Sequence, residues 1–152
     1  MLHQQQELWK EQSILFDYRG DTVKVMKLHK NVKTTPIVVY ADKMEKSFGG
    51  SDKAFLELAK EVMTEEAISS VYLIGEKFAG GWMEESLRFL CEGRRVFQGN
   101  NLYSKGACYT AYCKQGTSFP NPVYLDESKL SDQITVKMRV CGEEKLYPLV
   151  TW

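Results

Sequence analysis

The stretch from Val71 to Lys114 constrains the fold most, because it alternates an apolar run, glycine-containing turns and helical patterns. The run VYLIG is continuously apolar, has the length of a buried strand, and ends at Gly75. A flexible loop follows it, and a helix is predicted to begin near Trp82. The order of strand, loop, helix, short strand, turn and helix predicts an α/β fold, in which ligands often bind where a strand meets a helix N-terminus.

Length and composition favour a single compact domain. The 152 residues, 43% of them hydrophobic, are enough to bury one core. Twenty basic residues balance twenty acidic ones, so the net charge gives no attraction to nucleic acid, which is not an expected partner. The N-terminus lacks the apolar core of a secretory signal and no apolar run has the length of a membrane helix, which predicts a cytoplasmic protein without a membrane partner.

The cysteines do not predict a metal centre. Their spacings match neither a CxxC pair nor a paired zinc-ligand pattern, and the sequence has only two histidines to supplement them. We therefore expect Cys91, Cys108, Cys113 and Cys141 to be buried free thiols. A serine or cysteine hydrolase is not favoured, because a nucleophile needs a neighbouring base and both histidines lie in polar or basic segments.

The first half of the chain predicts a small antiparallel sheet. Two β-rich runs between Ser13 and Leu28 flank Gly20 and Asp21, a residue pair typical of hairpin turns. A third strand is predicted from Thr34 to Tyr40, with Pro36 at its start or on an edge because proline cannot donate a backbone hydrogen bond. About ten residues, 41–50, are then expected to connect this strand to a helix.

Three helices are predicted after these strands. Ser51 or Asp52 is expected to cap the first, whose apolar residues follow the i, i+3, i+4, i+7 pattern from Phe55. The second begins near Trp82. Ser104 is expected to cap the third, in which small residues form a flat face that would pack closely on the sheet; these residues are Gly106, Ala107, Cys108 and Ala111.

The C-terminal residues predict a loop followed by a second hairpin. The segments ITVKMRV and KLYPLV read as strands, and CGEE between them reads as a turn. We assign residues 13–114 to the main α/β unit and 115–152 to a hairpin extension of the same domain. The chain ends inside a strand pattern, so we expect the sequence to be a piece of a longer protein.

The order of motifs from Ile14 to Lys114 resembles the second half of the nucleotide-binding domain shared by actin, sugar kinases and the seventy-kilodalton heat-shock chaperones. In that superfamily a hairpin carries a pattern like DxGGGT, and FDYRGDT stands in the matching place. The superfamily then has an apolar strand ending in Gly-Gly, a short strand ending in a glycine, and a helix with a Gly-Ala pair. This chain has, in the same order, Leu73 to Gly75, Val96 to Gly99, and Gly106 with Ala107. The resemblance implies a ribonuclease-H-like or actin-like half-domain, with a mixed sheet of about five strands flanked by helices.

The resemblance also implies a set of nucleotide-contacting positions, with ATP and magnesium as the ligand. These positions are Asp17, Gly20, Thr22, Gly75, Gly80, Gly81 and Gly106. Each has a structural alternative. Asp17 could be a polar residue on the outer face of the hairpin, the loop glycines could only turn the chain, and Gly106 could serve close packing of its helix.

Departures from the family pattern argue against a working site. Phosphate binding needs successive backbone N–H groups without intervening side chains, yet Arg19 and Asp21 stand where glycines belong, and Glu76 replaces a glycine of the later loop. The first half of the cleft, with its own phosphate loop and catalytic carboxylate, is not in this chain. No cofactor is therefore assigned, and the isolated chain is not expected to be an enzyme.

The favoured function is a non-catalytic, actin-like or chaperone-like binding or scaffolding module of a larger bacterial protein, with other domains of that protein or a separate protein as partner. Two alternatives remain open: half of an active nucleotide-binding ATPase or sugar-kinase-like enzyme, and a plain protein-interaction domain. The segment GRRVFQGNNLYSKGA also resembles a family of uncharacterised bacterial proteins, which supplies no activity.

Overall fold

A mixed β-sheet organises the fold in the computed structural model, which describes residues 12–64, 67–114, 122–129 and 133–151. The strands of this sheet are β1 (Gln12–Arg19), β2 (Thr22–Asn31), β3 (Val38–Ser47), β4 (Ile68–Ile74), β5 (Arg95–Gln98) and β6 (Val123–Leu125). The helices are α1 (Asp52–Val62), α2 (Glu84–Cys91) and α3 (Leu102–Lys114). A separate two-stranded sheet is formed by β7 (Gln133–Val140) and β8 (Glu143–Thr151).

The sheet has the strand order β5-β4-β1-β2-β3-β6. The first three strands pair antiparallel, whereas β4 lies parallel to β1, β5 parallel to β4, and β6 parallel to β3. Helices α1 and α2 lie in the crossovers that parallel pairing requires. The carboxyl ends of β1, β4 and β5 therefore meet at one edge, which we call the carboxyl edge.

The predicted α/β class and mixed sheet are confirmed, but the sheet has six strands where about five were expected. The additional strand, β6, has only three residues, too few to show a hydrophobic period. Strand β3 is also longer than predicted. It continues to Ser47 because every residue from Val38 onward pairs with β2, although its outer half is charged and resembles a loop in sequence.

The predicted first hairpin is confirmed. Arg19 pairs with Thr22, so Gly20 and Asp21 form a two-residue loop. Gly20 has a φ of +64°, a conformation that glycine adopts without steric cost, and it connects β1 to β2 in the tight manner that hairpins favour.

The main core lies between one face of the sheet and helices α1 and α2. Its fully buried side chains include Phe16 on β1, Phe55 on α1 and Leu90 on α2. The predicted apolar face of α1 is confirmed, since Phe55, Leu58, Ala59 and Val62 are all buried. Ser51 caps this helix, as expected, by accepting a hydrogen bond from the Ala54 N–H at 3.3 Å.

Asp52 connects the two core helices. Its carboxylate accepts hydrogen bonds from the backbone N–H groups of Glu85 at 2.8 Å and Ser86 at 2.9 Å, which are free donors at the start of α2. The fully buried Ser86 hydroxyl also donates to Asp52, whose carboxylate Oδ1 lies at 2.5 Å and whose backbone carbonyl lies at 3.0 Å. Burial raises the pKa of Asp52, but the hydrogen bonds from Ser86 and Glu85 outweigh it, so the pKa lies below its ordinary value.

The expected close packing of α3 on the sheet is wrong. Its small residues, Gly106, Ala107, Cys108 and Ala111, are exposed, and a Cβ on Gly106 would meet no atom within 4 Å. The helix has no apolar stripe to bury, since apolar and polar residues alternate around all of its sides. The expectation of buried thiols is likewise wrong for Cys91, Cys108 and Cys141, which are free and exposed. The side chain of Cys113 and all but the last residue of the predicted loop TSFPNP, residues 117–122, lie outside the described residues.

Candidate functional site

The candidate site lies at the carboxyl edge, where three parallel strands end side by side. Asp17 on β1 pairs with Ile74 on β4, so it lies beside the point at which β4 gives way to Gly75. Strand β5 ends at Gln98 and leads through a turn into α3. In open α/β sheets this edge is the usual location of ligands, because loops and helix N-termini converge there.

Asp17 is buried, at 7% exposure, and each of its carboxylate oxygens accepts a hydrogen bond from a side chain. Oδ1 accepts a hydrogen bond from Arg19 Nε at 2.9 Å, and Oδ2 accepts one from the Tyr103 hydroxyl at 2.9 Å. Arg19 lies two residues further along the same strand, so its side chain points to the same face of the sheet. Tyr103 comes from the first turn of α3. We call these three residues the Asp17 cluster.

The electrostatics of the Asp17 cluster favour the arrangement observed. The Arg19 guanidinium forms an ion pair with Asp17, and this hydrogen-bonded contact raises the pKa of the Arg19 side chain. Burial, followed by donation to the Asp17 carboxylate, raises the pKa of the Tyr103 hydroxyl, which keeps it a donor. The guanidinium carbon also lies 5.6 Å from the centre of the Tyr103 ring, a cation–π contact. Each member of the cluster therefore contacts the other two.

Gly75 ends β4 in a conformation that other residues avoid, with φ +108° and ψ 148°. A Cβ at this position would lie 2.2 Å from the Tyr18 carbonyl oxygen, so the backbone of β1 passes directly against it. The Gly75 N–H donates to Asn100 Oδ1 at 3.2 Å. This donor thus contacts the turn between β5 and α3.

The loop after β4 is held to the end of β5 by further hydrogen bonds. The Gly99 N–H donates to the Leu73 carbonyl at 3.1 Å, and Gln98 Nε2 donates to the Phe78 carbonyl at 2.7 Å. Trp82 Nε1 donates to the Lys77 carbonyl at 2.9 Å, while its ring stacks on that of the buried Phe78. The loop is therefore fixed by contacts within the chain.

The structure brings only part of the predicted site together. Asp17 and Gly75 meet at the carboxyl edge, with Gly20 in the adjoining hairpin turn. Thr22 instead donates its hydroxyl to Glu45 Oε1 on β3 at 2.7 Å. Gly80 and Gly81 lie in the loop before α2, and Gly106 lies in the exposed body of α3. The nucleotide-contacting roles of these seven residues stay predictions.

The sequence did not predict Tyr103 or Asn100 as members of the site. Tyr103 is 86 residues from Asp17 and Asn100 is 25 residues from Gly75, and neither belongs to a recognisable motif. The adjacent asparagines, Asn100 and Asn101, are typical of a turn and indicate nothing further. The polar residues that follow β5 were the available indication, because they must lie at the same edge as the end of β4.

Within residues 12–64, 67–114, 122–129 and 133–151, no group of three histidine, cysteine, aspartate or glutamate side chains is arranged to hold a metal ion. In the same ranges, no helix combines the length and the apolar character needed to cross a membrane.

The fold and the Asp17 cluster define an α/β domain with a buried, internally bonded carboxylate at the carboxyl edge of its sheet. The chain belongs to the family of unknown function DUF5716, C-terminal, whose model matches residues 1–127. This confirms the resemblance to an uncharacterised family. No curated protein matches the chain.

Among solved structures, the catalytic core domain of BIV integrase is similar over part of its length. The two chains share 13% sequence identity and align with a TM-score of 0.33. The alignment covers 67% of this chain and 63% of the integrase domain, less than two thirds of that domain's length. A likeness of this size gives no information on activity.

Proposed function

We propose that this chain is a non-catalytic binding or scaffolding module, built as a ribonuclease-H-like or actin-like half-domain of a larger protein. The order of elements supports the finer fold assignment. A hairpin, a third strand, α1, β4, α2, the short β5 and α3 follow one another as the resemblance implies. The binding partner is another domain of the same protein or a separate protein.

The observation that carries the proposal is that Asp17 is buried and accepts hydrogen bonds from side chains of its own chain on both carboxylate oxygens. A carboxylate that serves a metal or a phosphate-bound water needs an oxygen lone pair facing the ligand, and Arg19 and Tyr103 each take up one lone pair, one on either oxygen of Asp17. Because Asp17 is buried, at 7% exposure, its remaining lone pairs have little access to solvent. A ligand that displaced either side chain would lose that hydrogen bond before it gained net affinity.

The adjoining turn does not fit an ATP–magnesium site either. Asp21 follows Gly20 where the phosphate pattern of the resemblance has glycine, and it adds a negative charge where phosphates would lie. Gly75, a second predicted contact, has its N–H bonded to Asn100. The donors and charges at the carboxyl edge thus stabilise the fold itself, which supports a structural use of an inherited architecture.

Titration with MgATP tests this proposal. Isothermal calorimetry on the full chain is expected to give no saturable binding up to millimolar MgATP, and phosphate release is expected to equal that of buffer. The variant Arg19→Gly removes the guanidinium and restores the glycine of the phosphate pattern, so it serves as the matched comparison. Micromolar binding by the unmodified chain, together with turnover, would refute the non-catalytic assignment.

One observation favours the alternative of an active nucleotide-binding half. Asp17 and Gly75, two residues that the resemblance implies, do converge at the carboxyl edge. On this hypothesis the missing half-domain would displace Arg19 or Tyr103 and complete the cleft. The longer protein would then contain an upstream DxG-type phosphate loop and hydrolyse ATP. A longer protein without that loop, or with no ATP turnover, would exclude this alternative.

A further inference from the structure

The C-terminal hairpin of β7 and β8 has one strongly apolar face. Side chains alternate between the two faces of a strand, so the apolar residues of β7 share one face, and the pairing with Val136 places Tyr147 on that face. A register shift between Ile134 and Thr135 brings Val150 opposite Ile134. These residues are Ile134, Val136, Met138, Val140, Tyr147 and Val150, and each is between 36% and 48% exposed. We call this surface the apolar hairpin face.

The opposite face of the hairpin carries paired charges, together with the exposed Leu146, which lies across from Lys137. Lys137 forms an ion pair with Glu144, and Arg139 lies directly across from Glu144. The two charges that do lie on the apolar hairpin face, Glu143 and Lys145, are near the turn and pair with each other at 3.3 Å. Covering the apolar hairpin face would therefore leave no unpaired charge among its described residues.

The area of the apolar hairpin face fits self-association. An aromatic side chain has roughly 200 Å² of surface and an aliphatic one less, so the six residues at this exposure present at most about 500 Å². A two-stranded ribbon is marginally stable alone and needs a further layer against its apolar side. Two copies placed face to face would bury at most about 1,000 Å², the size at which specific interfaces begin.

We infer that the apolar hairpin face packs against the same face of a second copy of this chain, giving a two-fold symmetric dimer with a small β-sandwich at its centre. A two-fold interface uses one patch on both subunits and so must be self-complementary, as a mostly apolar face whose two charges pair with each other is. The hairpin also lies beyond residues 1–127, the part that matches the family. The inference is independent of the Asp17 cluster, so either proposal can fail alone.

Sedimentation equilibrium of the full chain and two matched variants tests the dimer. Val136→Glu places a charge on the apolar hairpin face, whereas Leu146→Glu places the same charge on the opposite face, across from Lys137. We expect the unmodified chain and Leu146→Glu to dimerise, and Val136→Glu to dimerise at least tenfold more weakly. A monomeric unmodified chain at several hundred micromolar would overturn the inference and assign the face to another partner. Loss of dimer in Leu146→Glu alone would overturn the choice of face.

Hydrogen exchange keeps the test decisive if Val136→Glu does not fold. In the unmodified chain, the amides of residues 134–150 are expected to gain protection as protein concentration rises through the dissociation constant. Amides of the main sheet, such as those of Phe16 and Leu73, serve as the internal reference and should not change. Protection of the hairpin that is independent of concentration would contradict dimerisation through it.

Discussion

Replacing Gly75 by alanine tests whether this glycine has a structural role. The new Cβ would lie 2.2 Å from the Tyr18 carbonyl oxygen and 2.7 Å from its carbonyl carbon, atoms of a central strand that cannot rotate away. The backbone conformation alone, essentially restricted to glycine, costs another residue about 1–3 kcal/mol. Relief of the overlap adds about 1–3 kcal/mol, as overpacking does. We therefore expect Gly75→Ala to lower the free energy of unfolding by about 4 kcal/mol.

Urea denaturation followed by circular dichroism measures this loss, and Gly81→Ala is the matched control. A Cβ on Gly81 meets nothing within 4 Å, so its free energy of unfolding should change by less than about 0.5 kcal/mol. The denaturant slope should be unchanged for both variants, since neither alters the surface exposed on unfolding. A loss below about 1 kcal/mol for Gly75→Ala would refute the close approach of β4 and β1 at this point.

Three further predictions concern individual hydrogen bonds. Tyr103→Phe removes a donor to the buried Asp17 and should cost about 1–2 kcal/mol in urea denaturation; no change would show that this bond does not form. Asp52→Ala should cost about 1–2 kcal/mol at pH 7, because α2 loses its cap. Since the folded-state pKa of Asp52 is lowered, this loss of stability should be fully present above the unfolded pKa of about 3.9 and should vanish as the pH falls through the folded-state pKa. A loss of stability that does not change with pH would show that the ionised Asp52 carboxylate does not cap α2. Hydrogen bonds from Lys43 and then Ser128 lower the pKa of Asp126 from 3.8 to about 2. Carboxyl NMR titration of Lys43→Ala should therefore give a higher pKa for Asp126. An unchanged pKa of Asp126 would contradict its ion pair with Lys43.

Local features of the fold were predictable from sequence because short-range physics determines them. The turn at Gly20 needs a positive φ, and the sequence offers a glycine between two β-rich runs. The cap at Ser51 and the apolar period of α1 likewise depend on residues within two helical turns. The final hairpin was predicted for the same reason, although its turn contains only Cys141 and Gly142.

Features that depend on distant residues were not predictable. The bond from Tyr103 to Asp17 joins residues 86 positions apart, and the cap of α2 by Asp52 joins residues 34 apart. In neither pair do the neighbouring residues in the sequence indicate which distant residue will be the hydrogen-bond partner. The close packing expected of α3 failed because small residues permit such contact without supplying apolar area to drive it. The candidate site could therefore be predicted only in part: the sequence indicated Asp17 and Gly75, but it did not indicate their partners Tyr103 and Asn100.

Paramagnetic broadening by Mn²⁺ reports directly whether Asp17 is available to a ligand or is bonded only within the chain. Amide spectra of the full chain would be recorded while Mn²⁺ is added in the presence of ATP. We expect no selective loss of amide signal at Asp17, Gly75 or Tyr103, since the oxygens of Asp17 are bonded to Arg19 and Tyr103. Selective, saturable broadening of these amides at micromolar Mn²⁺ would contradict it.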